Sequence, residues 1–146
     1  RAGKSAAEIV ARLDAVRPRV RIFFALATLR YAQMSGRIGH LQGLLASLLN
    51  VKPIISLKDG MLLPTGRARS LHAALDEVLA LTKEAAGGNP ARVAVLHGEA
   101  RAEAEKLLER IKQEVDCVES FVDDVAISLA VHFGPGVIGT VVYPAA

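Results

Sequence analysis

Apolar positions recur along this chain with two different periods, and their alternation lays out the fold. Ile9, Val10, Leu13 and Val16 stand three and four residues apart, which places them on one helix face. Ser5 suits the N-cap and Glu8 follows three residues later, a capping-box pattern. The spacing predicts an amphipathic helix from Lys4 to Val16, ended by Pro18. Val20 to Leu26 reads as a buried strand. Thr28 opens a short helix to about Ser35, and beyond the Ser35-Gly36 turn a second helix is expected from Ile38 to Leu49.

The middle of the chain changes period. Pro53 to Leu57 and Met61 to Pro64 flank Lys58-Asp59-Gly60, a hairpin built on the Asp-Gly dipeptide that such turns favour. Ser70 to Ala86 then predicts a long helix, stopped by Gly87-Gly88-Asn89-Pro90. A strand is expected over Arg92 to Leu96, a helix with a charged face over Ala100 to Glu114, and a strand over Val118 to Val122. Asp124 to Val131 is ambiguous, with a short helix as one reading, and Val137 to Tyr143 is a final strand. Helices and strands alternate, but a hairpin interrupts them. The prediction is therefore one α/β (α+β) domain over residues 1–146, with a mixed β-sheet flanked by helices.

Composition leaves two readings of the core open. Half of the chain is hydrophobic (51%), with no Trp and little aromatic area, and the mean hydropathy of +0.32 is high beside 23% charged residues. The aliphatic excess fits either a dense helix-on-sheet core or a face that has lost its partner. Ile22 to Ala27 and Leu44 to Leu49 are the richest apolar runs, far short of the roughly 18 residues of a membrane-spanning helix. The single cysteine, Cys117, cannot form an internal disulfide and reads as a small buried hydrophobe. A cytoplasmic protein is the expectation.

Charge is unevenly spread. Residues 1–40 carry eight basic side chains against two acids, and the remainder ten against thirteen, within a net charge of +3. No aromatic residues interleave with these arginines, and neither a helix-turn-helix nor a zinc spacing appears. Nucleic acid is therefore disfavoured, and an acidic protein partner or a solvated face is preferred.

Little in the chain resembles a catalytic apparatus. His40, His72, His97 and His132 are scattered without the short spacings of zinc ligands, so no metal site is expected. Gly-x-Ser-x-Gly and a phosphate-binding loop ending in Lys-Ser/Thr are both absent. Two features remain. Gly36-Arg37-Ile38-Gly39 puts an arginine and free backbone N–H groups at a helix start, suited to an anion, or else it is a tight turn with a surface arginine. His132 precedes Gly134-Pro135-Gly136, a turn of restricted backbone, and is either a ligand or a histidine bonded to its own turn.

The order of these pieces carries more than any one of them. Thr28-Leu29-Arg30-Tyr31, Ser35-Gly36-Arg37-Ile38-Gly39, Leu48 to Ile55, Lys58-Asp59-Gly60, Arg69, and His132 with Gly134-Pro135-Gly136 together span nearly the whole chain. In that order they resemble the C-terminal domain of the DegV family, bacterial fatty-acid-binding proteins of the EDD fold. The resemblance implies that the chain is the C-terminal half of a two-domain protein. Residues 1–17 would then be a helix leading out of an N-terminal domain that supplies Ser and Thr hydroxyls to the ligand.

It further implies a lipid-binding role rather than catalysis. The ligand is a long-chain fatty acid, no cofactor is needed, and an ATP-dependent fatty-acid kinase is the partner that phosphorylates the presented carboxylate. On this resemblance His132 belongs to the carboxylate network, with Gly134 and Gly136 in its turn, Arg37 meets the head group or an acyl phosphate, and Arg69 docks the kinase. Phe133 stands where the family commonly has a small or polar residue, and Arg67 matches no family position. An isolated copy would bind lipid poorly and cover its exposed face by dimerising. Two other classes stay open: an enzyme acting on a small phosphorylated or acylated molecule, and a regulatory protein-interaction domain.

Overall fold

The computed structural model describes residues 3–36, 39, 51–58 and 60–145. The elements run α1 (Ala6–Val16), a 3-10 turn (Arg17–Arg19), β1 (Arg21–Ala25), α2 (Arg30–Met34), β2 (Lys52–Lys58), β3 (Met61–Ala68), α3 (Leu71–Ala86), β4 (Ala91–His97), α4 (Arg101–Glu114), β5 (Cys117–Asp124), α5 (Ile127–Phe133) and β6 (Ile138–Pro144). Six strands form one sheet in the order β3-β2-β1-β6-β4-β5. β4 and β5 pair in parallel and every other neighbour is antiparallel. The mixed sheet flanked by helices is the architecture the alternation predicts.

Period-2 burial assigns the two faces. Ala91, Val93, Val95 and His97 alternate inward on β4, and the same face gathers Phe23, Ala25, Ile54, Ile138 and Val142. α3 and α4 close over it with Ala74, Val78, Leu79, Leu107 and Ile111. The larger aliphatic and aromatic side chains among these are worth about 1.5–3 kcal/mol each. The buried hydroxyls here are satisfied: Thr82 Oγ1 donates to the Val78 carbonyl at 2.7 Å and meets Thr140 Oγ1 at 2.7 Å, so Thr140 is the donor in that pair. α3 has Ser70 as its N-cap and left-handed Gly87 at its end, as the sequence pattern requires.

The opposite face is covered differently. Phe24, Leu26, Leu29, Ala32, Ile55, Val125, Phe133 and Val137 form a second cluster, roofed by the short α2 and α5. Phe24 and Phe133 meet with ring centroids 5.2 Å apart and planes tilted by 51°, a favourable aromatic geometry.

Several boundaries differ from the sequence expectation. β3 runs on to Ala68 rather than ending at Pro64, because Pro64 lies on an edge strand beside a register shift at Ile54/Ile55, where its missing N–H does no harm. The ambiguous stretch becomes α5, ending at Phe133. Helix α2 starts at Arg30 instead of Thr28, although Thr28 Oγ1 does accept the Arg30 amide at 3.1 Å. The expected helix from Ile38 to Leu49 lies, Gly39 apart, outside the described residues. α1 forms with the complete Ser5–Glu8 capping box, yet buries no residue.

Candidate functional site

Strand register brings distant segments to one end of the sheet. Ala25 pairs with Ile54 and Ile138, Lys52 with Ala68, and His97 with both Ile138 and Asp124. The loops beyond these residues therefore share a rim: 26–29, 69–70, 98–100 and the segment 125–137 that carries His132. A groove of about 910 Å³ lies elsewhere, lined by Asp14, Arg17, Arg21, Leu57 and Lys58 at the other end of the strands.

His132 is the penultimate residue of α5. Its ring is half-buried, and Nδ1 is sealed from solvent with no hydrogen-bond partner among the described residues. A sealed ring nitrogen is costly unless something arrives to bond it. The alternative of a histidine bonded to its own turn through Nδ1 is thereby removed.

The turn behind His132 depends on glycine. Gly134 closes α5 by donating its N–H to the Ala130 carbonyl at 2.8 Å, then takes φ 76° and ψ 177°, a region essentially reserved for glycine. A Cβ there would also overlap the Tyr31 ring. Tyr31 of α2 thus lies directly on the His132 turn, and α2 and α5 form one rim. Gly136 donates to the Gly98 carbonyl at 2.7 Å and approaches Ala27.

α2 leads to the expected anion loop. Gly36 adopts φ 69° and donates to the Gln33 carbonyl at 3.1 Å, so the predicted Ser35-Gly36 turn forms. Arg37 itself lies outside the described residues. Arg69 stands exposed one residue beyond β3, at the same end of the sheet as His132. The structure therefore brings together His132, Gly134 and Gly136 in one turn and places Arg69 on the same rim.

Three residues emerge that pattern reading did not assign. Tyr31 locks the two short helices together. Lys52, half-buried at the start of β2, donates from Nζ to the Ala27 carbonyl at 3.0 Å and fixes the loop that meets Gly136. His97 is only 4% exposed, neither ring nitrogen has a hydrogen-bond partner among the described residues, and Nδ1 lies 3.3 Å from Asp124 Oδ1 in poor bonding geometry. Its signal was in the sequence: the alternation Ala91, Val93, Val95 continues into a histidine.

Apolar side chains surround this rim. Ile127 is 83% exposed, and Met34, Leu129 and Val131 are also open to solvent. Among the described residues, no group of three or more His, Cys, Asp or Glu side chains could hold a metal ion. Cys117 is partly buried, and burial pushes its thiol upward, followed by the nearby Asp116 charge. It stays a neutral thiol packed against the core, as the sequence reading expected. No helix among the described residues is long and apolar enough to cross a membrane.

Comparison with known proteins agrees with this geometry. A family model described as an uncharacterised protein of the DegV family matches residues 1–145. The chain is 31% identical over 140 residues to a DegV domain-containing protein of Clostridium acetobutylicum, covering 94% of this chain and 50% of that protein. Its fold is similar to that of a DegV family protein from Thermus thermophilus described for its fatty acid binding, with a TM-score of 0.84, 32% identity, and coverage of 97% of this chain and 51% of that one. A stearic acid-binding protein from Eubacterium ventriosum is equally similar, with a TM-score of 0.84, 32% identity, and coverage of 97% and 50%. The chain spans about half the length of the curated relatives it matches. It belongs to the DegV family.

Proposed function

We propose that this DegV family chain is the C-terminal half of a two-domain fatty-acid carrier, and that His132 supplies one hydrogen bond to the carboxylate. The observation that carries the reading is the Nδ1 of His132, sealed and without a partner among the described residues, on the lip of an apolar cluster. Fatty-acid binding by similar proteins from Thermus thermophilus and Eubacterium ventriosum supports it. Each methylene removed from water contributes roughly 0.8 kcal/mol. The tail therefore supplies most of the affinity, while His132 and Arg37 orient the head group.

Half-length coverage and the unburied face of α1 support a second domain reached through residues 1–17. The proposed role is presentation, not turnover. A carboxylate oxygen attacks the γ-phosphorus of ATP on a separate cytoplasmic kinase, ADP leaves, and an acyl phosphate forms. The protein contributes no base, because the carboxylate is already ionised, and Arg69 offers an exposed cation for docking that kinase.

The test uses the full-length protein that carries this chain. Native mass spectrometry of the purified protein should find a bound fatty acid, and His132→Ala should lower stearate affinity about tenfold, one lost charge-assisted hydrogen bond. Arg69→Ala should leave stearate binding intact and slow acyl-phosphate formation by the kinase. A lipid-free protein that ignores added stearate sinks the carrier reading.

A further inference from the structure

Both ends of the segment carrying His132 are tied to the same two residues. The His97 carbonyl accepts the Val125 N–H at 2.8 Å, at the entrance to α5. At its exit, the Gly98 N–H donates to the Val137 carbonyl at 2.9 Å and the Gly98 carbonyl accepts the Gly136 N–H at 2.7 Å. The last residue of β4 and its successor thus clasp the base of the 125–137 loop.

Gly98 has no left-handed backbone to justify it; space does. A Cβ at position 98 would stand 3.0 Å from Val137 Cγ1, 3.3 Å from the Gly134 carbonyl oxygen and 3.7 Å from Val125 Cγ1. All three neighbours belong to the clasped loop, and one is main chain. Behind the clasp sits the buried His97 ring, without a hydrogen bond among the described residues and with Nδ1 3.3 Å from Asp124 Oδ1, in the residue before Val125. A buried polar ring without a bond disfavours the fold, and such local violations concentrate where function requires a geometry.

We propose that Gly98 is a positioning residue for His132, with the His97 main chain completing the clasp. The missing side chain lets the 134–137 turn close onto the end of β4, and that approach sets where His132 Nδ1 stands. A displacement of several tenths of an ångström at Gly134 is enough to spoil a hydrogen bond made two residues earlier. The inference rests on His132 being the head-group ligand.

The experiment again uses the full-length protein. Gly98→Ala should weaken stearate binding about tenfold and shift the NMR signals of the His132 ring. Adding Val137→Ala, which removes the 3.0 Å contact, should recover most of both changes. Leu107→Ala serves as the stability control, being buried on the far face of the sheet. In wild-type protein, stearate should slow amide exchange of Gly98, Val125 and Gly136 together, a measurement independent of whether Gly98→Ala folds.

Wild-type stearate affinity and unmoved His132 signals in Gly98→Ala would overturn the proposal. So would a loss of affinity no greater than that of Leu107→Ala at equal thermal stability, or unchanged exchange of the three amides in wild type. Should His132→Ala leave stearate binding intact, the head-group reading fails instead, and the His132 signals in Gly98→Ala still decide whether residue 98 positions the turn.

Discussion

The two faces of this sheet are built to different standards. One is closed by α3 and α4, of 16 and 14 residues, and its buried hydroxyls are bonded. Among the described residues, the other is roofed by α2 and α5, of five and seven residues. Helices that short have no independent stability and persist because Leu29, Ala32 and Phe133 are anchored in the second cluster. That face also holds the sealed His132 nitrogen and the exposed Ile127, Leu129 and Val131. Long helices and bonded hydroxyls mark the first face, and short helices with exposed apolar side chains mark the second.

Matched truncations give the largest test of this division. Phe133→Ala should cost about 3–5 kcal/mol and Leu107→Ala about 2–5 kcal/mol in urea melts. Only Phe133→Ala should also abolish stearate binding under conditions where both variants remain folded. Equal loss of affinity at equal stability would erase the distinction between the faces.

A smaller effect is expected at the turn. Gly134→Ala forces a side chain into a glycine-only conformation and into the Tyr31 ring, at a cost of about 1–3 kcal/mol. Combining it with Tyr31→Ala should relieve the overlap but leave the backbone strain, so recovery should be partial. Full recovery would mean that Tyr31 alone demands glycine here.

On the closed face, pH offers a finer probe. Arg110 Nη2 donates to Asp76 Oδ1 at 2.6 Å across α3 and α4, and this bond holds the Asp76 carboxyl below its ordinary range. A lowered folded-state pKa means that the contribution is present above the unfolded value of about 3.9 and fades as pH falls through the folded value. Both groups are partly exposed, so an Asp76→Asn, Arg110→Gln cycle should give about 0.2–1 kcal/mol at neutral pH. Coupling that grows on acidification would contradict the assignment.

The smallest expected effect belongs to α1. Leu13→Ser should change the stability of this chain by less than about 0.5 kcal/mol, since Leu13 is 62% exposed. The same change in the full-length protein should cost more, if the stripe packs on another domain there. Equal, negligible costs in both would remove that role.

Much of this was legible in advance, and the exceptions are instructive. Ser5, Ser70 and Gly87 do what their types announce, because caps and breakers act through a few adjacent backbone groups. The Gly134-Pro135-Gly136 turn was visible for the same reason. Tyr31 resting on Gly134, Lys52 reaching the Ala27 carbonyl and Gly98 clasping residues 125–137 were not, since each joins positions far apart along the chain. α1 and α3 show the limit most simply: both carry a clean apolar stripe, yet α3 buries six residues and α1 none.

Local chemistry and periodicity in the sequence were sufficient for most of the described elements, their alternation and the mixed sheet, and they singled out His132 as a candidate. Whether an apolar stripe finds a partner, whether a ring nitrogen is bonded, and which glycine must stay bare depend on which segments meet. Strand order and register settle those, because they bring the ends of β1, β4, β5 and β6 to one rim. His132 gains its setting there, half-buried beside a turn that meets residues some 35 and 100 positions away along the chain.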